Sequence, residues 1–134
     1  MRLEPYIFFY GRCEEALAFY KSVLNGDYEL QRVGGSPAAE HMPPGSENRV
    51  MHASFRAGDM RFMASDGREE KSVDPDAGNI SLSIETDDTA AGDRIFNALA
   101  EGGKVSMPMD AAFWGGRFGM LVDRFGIEWM VTSP

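Results

Sequence analysis

Met60-Arg61-Phe62-Met63-Ala64-Ser65 is matched in size and pattern, 67 positions later, by Ile127-Glu128-Trp129-Met130-Val131-Thr132. Both stretches read as strands, in which successive side chains face opposite sides. Six residues are a short match, so the weight falls on what surrounds each copy. Before the first copy, Tyr6-Ile7-Phe8-Phe9-Tyr10 is an aromatic run between Pro5 and Gly11. It reads as a strand buried on both faces. Cys13, Ala16, Leu17, Tyr20, Val23 and Leu24 then recur at helical spacing from about Arg12 to Leu24. Glu14 and Glu15 sit where the helix dipole favours negative charge, and Asn25-Gly26 is a stop signal. A strand over about Tyr28 to Val33, a long Gly/Pro/Ser-rich loop from Gly34 to Asn48, and a strand from Val50 to Ala57 follow. Gly58-Asp59 turns that strand into the quoted one.

The second copy has the same surroundings. Ile80 to Thr86 alternates as a half-buried strand, and Asp87 or Asp88 caps a helix running to about Glu101. Its apolar stripe is Ala91, Ile95, Ala98 and Leu99, and Gly102-Gly103 ends it. Strands over Val105 to Met109 and Gly116 to Val122 precede the last strand, which begins after the turn Asp123-Arg124-Phe125-Gly126. The order strand, helix, three strands therefore occurs twice. The expectation is an α+β fold, one domain of two βαβββ modules at about 1–67 and 78–134, with Asp66 to Gly78 as a linker.

Length and composition agree with a single soluble domain. The chain has 134 residues, 43% of them hydrophobic and 25% charged. A net charge of −8 argues against nucleic acid and against anionic membrane surfaces as partners. No apolar run approaches a membrane span or a signal-peptide core. Cys13 is the one cysteine, which excludes an internal disulfide, and His41 and His52 are the only histidines. Phosphate-loop, dinucleotide and serine-elbow motifs are absent. The expected location is the cytoplasm.

The βαβββ repeat resembles the vicinal oxygen chelate superfamily, which includes glyoxalase I, bleomycin-resistance proteins and extradiol dioxygenases. Pro5-Tyr6-Ile7-Phe8-Phe9 with Glu14 to Tyr20, His52-Ala53, Gly58-Asp59 and Met63-Ala64-Ser65-Asp66 look like its PhnB-like members. So do Phe113-Trp114, Phe118-Gly119, Asp123 to Gly126 and Trp129-Met130. Some relatives carry a 3-demethylubiquinone methyltransferase-like label, but no methyl-donor glycine motif supports it here. The resemblance implies U-shaped mixed sheets around a shared cavity, helices outside, and a homodimer. It also implies metal ligands at the first and last strands of each module, usually two His and two Glu. Those positions fall at about Pro5 and Ser81, and at Met63 and Met130. Proline, serine and two thioethers are a poor set for Zn²⁺, Mg²⁺ or Fe²⁺. A slip of one residue would bring in Glu4 without restoring a His pair. The expectation is that no inherited metal site remains and no cofactor is bound.

Individual residues carry paired readings. His52 shares a strand face with Ser54 and Arg56, and is either a general base or ligand donor, or a hydrogen-bonded structural histidine. His41 reads as a solvated loop residue. Glu128 shares a face with Met130 and is either a cavity carboxylate acting with His52, even at a shifted metal site, or a partly exposed sheet residue. Arg61 is its counterpart in the other module. Arg117 either clamps a carboxylate or phosphate and Trp114 stacks on a flat ligand, or the two belong to a flexible loop whose Trp packs under the sheet edge. Tyr10 reaches a cavity rim or belongs to the core. Met63, Met130 and Ser81 face the cavity in the family geometry, and soft methionines suit apolar ligands. Cys13 reads as a buried, inert thiol. These residues point to a protein that binds a small organic molecule, with the long loop closing over it. The alternative is a lyase, isomerase or dioxygenase using a divalent metal at a displaced site such as His52 and Glu128.

Overall fold

The helix after the first strand starts without a cap of its own, because Arg12 at its N-cap makes no side-chain capping bond. The missing acceptor comes from 53 residues away: Asp66 Oδ1 accepts from Cys13 N–H at 2.8 Å and from Gly11 N–H at 3.0 Å. Its second oxygen accepts from Val50 N–H at 2.7 Å. A carboxylate facing a helix N-terminus satisfies orphan donors and meets the positive end of the dipole. Asp66 is buried and belongs to the first unit, which corrects its assignment to a linker.

The computed structural model describes residues 1–68, 71–74, 76 and 78–134. Glu69, Glu70, Pro75 and Ala77 of the expected linker lie outside them. The chain forms two units, Met1–Ser72 and Val73–Pro134. In the first, β1 (Tyr6–Phe8), α1 (Cys13–Leu24), β2 (Asp27–Arg32), β3 (Val50–Ala57) and β4 (Met60–Ser65) build a mixed sheet of order β1-β4-β3-β2. β1 runs parallel to β4 and the other pairs are antiparallel. In the second, β5 (Leu82–Glu85), α2 (Thr89–Ala100), β6 (Lys104–Ala111), β7 (Arg117–Val122) and β8 (Glu128–Ser133) give the order β5-β8-β7-β6. Here β5 is the parallel partner of β8. The architecture is α+β, with strand, helix and three strands in each unit.

Each helix covers one face of its own sheet. Cys13, Ala16, Leu17 and Tyr20 of α1 are buried, as are Ala53, Phe55, Phe62 and Ala64 of the sheet. Phe55 and Phe62 stack with centroids 4.8 Å apart, and Tyr20 meets both edge-on. Such pairs add to area burial because ring edges and faces carry opposite partial charge. In the second unit Gly92, Phe96 and Leu99 of α2 are buried, with Leu121, Trp129 and Val131. A Cβ on Gly119 would sit 2.7 Å from the Phe96 ring, so this glycine permits the close approach of helix and sheet. Asp88 caps α2 by accepting from Ala91 N–H at 3.1 Å. Asp123 closes the turn before β8, accepting from Phe125 N–H, Ile127 N–H and Trp129 Nε1–H.

Three local expectations change. The aromatic run forms a strand only over Tyr6–Phe8, and Tyr6 and Phe8 are 40% and 47% exposed. β1 is an edge strand covered on its helix side alone, so of the run Phe9 is the residue fully buried. The long loop carries a short 3-10 helix, Pro37–His41. β6 extends beyond its expected span and is exposed almost throughout. Its edge position tolerates Pro108, which has no N–H to donate.

Candidate functional site

Alternation leaves each sheet a face turned away from its helix. In the first unit this open face carries Tyr6, His52, Ser54, Arg56, Arg61 and Met63. The register confirms it: Tyr6 and Ser54 both pair with Met63, and Arg56 pairs with Arg61. The Tyr6 hydroxyl and His52 Nδ1 are hydrogen-bonded at 3.1 Å, with their rings 5.6 Å apart. This pair joins β1 to β3 across β4.

Two cavities flank it. The larger, about 460 Å³, has Tyr6, Phe8 and Met51 on the sheet side and Ala38, His41 and Met42 on the loop side. Ser36 Oγ donates to Val33 O at 2.6 Å, and Arg68 donates to His41 O at 3.1 Å, tying both ends of the 3-10 helix to the sheet unit. His41 is exposed, as expected of a loop residue, yet it also lines this cavity. The smaller cavity, about 230 Å³, is lined by His52, Met63, Arg2, Glu4, Arg56 and Arg61, among others. Glu4 is ion-paired with Arg2 at 3.2 Å.

In the second unit the open face carries Ser83, Met120 and Met130, which share a register across β5, β8 and β7. The Ser81 hydroxyl donates to the Glu128 carboxylate. Glu128 is therefore engaged within its own unit, as His52 is within the other. Arg117 is held by Asp93 on α2 at 3.1 Å and by Met109 O at 3.4 Å. Its guanidinium is taken up by the helix rather than offered to a ligand. Trp114 is 59% exposed and stacks edge-on with Phe113 and Phe118. Tyr10 sits past the end of β1, with φ 48° and its ring stacked on Phe8. A positive φ is uncommon for a bulky residue, and here it turns the chain from β1 into α1. Burial pushes the Cys13 thiol up to about 12, with the charges of Asp66 and Glu14 adding to the effect.

The register also refines the equivalence of the two first strands. Tyr6 faces Met63 and Ser83 faces Met130, so Tyr6 corresponds to Ser83 and Glu4 to Ser81. Pro5 then corresponds to Leu82, one place away from the ligand position assigned to it. The four positions carry Glu4, Met63, Ser81 and Met130, and Glu4 is already paired with Arg2. Thioethers and a hydroxyl do not fit a hard or borderline divalent cation. Among the described residues no three His, Cys, Asp or Glu side chains gather as a metal site.

The family model of 3-demethylubiquinone-9 3-methyltransferase matches residues 1–132. The chain belongs to that family. Escherichia coli YjdN is 30% identical, over 98% of this chain and 95% of its own. The crystal structure of PA1353 from Pseudomonas aeruginosa is 37% identical, with a TM-score of 0.85 over 99% of this chain and 97% of that one. The PhnB protein from Bacillus cereus is 26% identical, with a TM-score of 0.81 over the whole of both chains. A glyoxalase/bleomycin resistance/dioxygenase superfamily member from Sphaerobacter thermophilus, at 17% identity and TM-score 0.57 over 100% of this chain and 98% of its own, shares the fold. The PhnB-like resemblance is thus a family membership. Among the described residues, no helix of this PhnB-like protein is long and apolar enough to cross a membrane.

The sequence reading missed Phe8, Ala38, Met42 and Met51 as cavity residues. The aromatic run was a usable signal, since only its edge position exposes it. Nothing local marked Ala38, because its role depends on how the loop folds back.

Proposed function

We propose that this PhnB-like protein binds a small, partly apolar organic molecule in the cavity between the open face of its first module and the Pro37–His41 helix. The observation that carries this reading is the 460 Å³ cavity, with Tyr6 and Phe8 on one wall and Ala38 and Met42 on the other. That volume lies within the range of ordinary ligand pockets, which are mostly apolar with a few polar groups. The rings present flat apolar surface, Met42 and Met51 adapt to shape, and Tyr6, His41, Ser65 and Arg68 supply polarity. Binding works by burial of the ligand under the loop.

In this reading the protein acts without the metal of its superfamily. The donor chemistry of Glu4, Met63, Ser81 and Met130 supports it. It is also a homodimer. Val105 and Met107 on the exposed edge strand β6, with Phe113 (97% exposed) and Trp114 beside it, support that. A buried single thiol suits a reducing cytoplasm.

A thermal-shift screen of small aromatic and aliphatic compounds tests the cavity. Hits should raise Tm by mass action. They should be lost in Met42→Asp, which puts a charge into the lining. Hits that survive Met42→Asp unchanged count against the reading. Calorimetry with Zn²⁺, Ni²⁺ and Mn²⁺ tests the metal-free part, and no stoichiometric binding is expected. Stoichiometric metal that disappears in His52→Ala and Glu128→Ala would favour a divalent-metal lyase, isomerase or dioxygenase instead.

A further inference from the structure

The smaller cavity of the first module has a charge pattern that neither the fold nor the apolar pocket explains. The chain has 13 basic residues against 21 acidic ones. Three of the 13, Arg2, Arg56 and Arg61, converge on one cavity of about 230 Å³. Arg56 and Arg61 stand directly opposite each other on β3 and β4. Like charges at such a pair destabilise a sheet. A carboxylate between them would remove the cost, but no hydrogen bond or ion pair of either guanidinium occurs among the described residues. Asp27 lies opposite Arg56 on β2, yet its carboxylate is committed to Tyr28 N–H and to Lys21. Arg56 is the smallest of the influences that hold Asp27 low. Glu4 is the one carboxylate in the lining, and it is paired with Arg2. Among the described lining residues, three guanidiniums against one carboxylate leave a net charge of +2, with Asp27 and Glu29 of β2 on the same sheet face beyond the lining.

Polar side chains complete the cavity. Ser54 and His52 both line it. His52 is hydrogen-bonded through Nδ1 to the Tyr6 hydroxyl, which leaves Nε2 for a second partner. Guanidinium forks match oxyanions bidentately, and charge-assisted bonds are about twice as strong as neutral ones.

We propose that this cavity binds a doubly charged oxyanion of the phosphoryl class, with Arg56 and Arg61 as the principal donors and Arg2, Ser54 and His52 around them. A dianion matches the net charge of the described lining residues, and a monocarboxylate leaves one positive charge unmet. This site is distinct from the apolar cavity and stands whether or not that cavity takes a ligand.

The test is calorimetry and thermal shift of the full chain with inorganic phosphate, against acetate and chloride at matched ionic strength and neutral pH. Phosphate should bind and raise Tm, and acetate should bind about tenfold or more weakly. Arg56→Gln and Arg61→Gln should each weaken phosphate about tenfold or more, and the double variant should abolish binding. Lys104→Gln, on exposed β6, should leave phosphate affinity unchanged. In phosphate-free buffer Arg61→Gln should melt no lower than the parent chain, because a like-charge contact is relieved. The proposal is overturned if phosphate acts no differently from chloride, if acetate binds equally well, or if the double variant keeps the parent affinity. A clear loss of Tm in Arg61→Gln without phosphate would overturn it too, by making Arg61 structural.

Discussion

The two modules share a scaffold and differ on one side of it. On the helix side, equivalent positions stay large and apolar: Phe62 answers to Trp129 and Ala64 to Val131, all buried. Registers that pair Ser54 with Met63 and Met120 with Met130 extend the equivalence, so Phe55 answers to Leu121. On the open side the same registers set Ser54 against Met120, His52 against Phe118, Arg61 against Glu128 and Glu4 against Ser81. Packing under a helix restrains what can replace a residue, because lost volume costs a cavity. An open face has no such restraint. The first module has become polar and basic around a Tyr–His pair, and the second thioether-lined with a Ser–Glu pair. Met63 and Met130 keep their type across the two open faces.

The largest expected effect concerns the buried carboxylates. Asp66→Ala leaves three backbone N–H donors from two distant segments without an acceptor and should cost about 4 kcal/mol in denaturant melts. Asp123→Ala opens only a local turn and the Trp129 bond, and should cost about 3 kcal/mol. Equal or reversed losses would break the distinction between a long-range tie and a local one. A second effect belongs to the first module alone. The Cys13 thiol rises to about 12 from an ordinary 9.0. The unfolded thiol therefore ionises first, so the contribution is intact below about pH 9 and falls as pH rises toward 12. Cys13→Ala should flatten that alkaline fall, and native protein at neutral pH should resist alkylation by iodoacetamide until it is unfolded.

Smaller effects sharpen the contrast of the open faces. Glu128→Gln weakens the acceptor of the Ser81 hydroxyl and should cost about 1 kcal/mol, leaving phosphate affinity untouched. Met63→Leu and Met130→Leu should each change stability by less than about 1.5 kcal/mol and alter no metal affinity. A loss of bound metal in either variant would return these thioethers to the ligand set.

Much of the fold was legible because burial leaves a periodic trace. The spans of β3 and β4, the stop of α1 and the start of α2 could be read directly, since Asn25 and Asp88 act locally. β1 could not, because an aromatic run looks the same whether a second layer covers it or not. Asp66 was opaque for a related reason: it caps a helix 53 residues away, and no local spacing records that. The site was legible in part. His52, Ser54 and Arg56 were placed on one face by alternation, and Met63 with Met130 by the repeat. Arg117 was read as a ligand clamp, although its ion pair with Asp93 depends on the docking of α2. Ala38 and Met42 reach the cavity only through the 3-10 helix, which no periodicity announced.

The central claim is that ligand binding belongs to the open face of the first module. Its most direct test compares Ala38→Trp, which fills the cavity from the loop, with Met120→Trp on the open face of the second module. Compounds that raise Tm in the parent chain should lose their effect in Ala38→Trp and keep it in Met120→Trp. Loss in Met120→Trp with full retention in Ala38→Trp would contradict the claim.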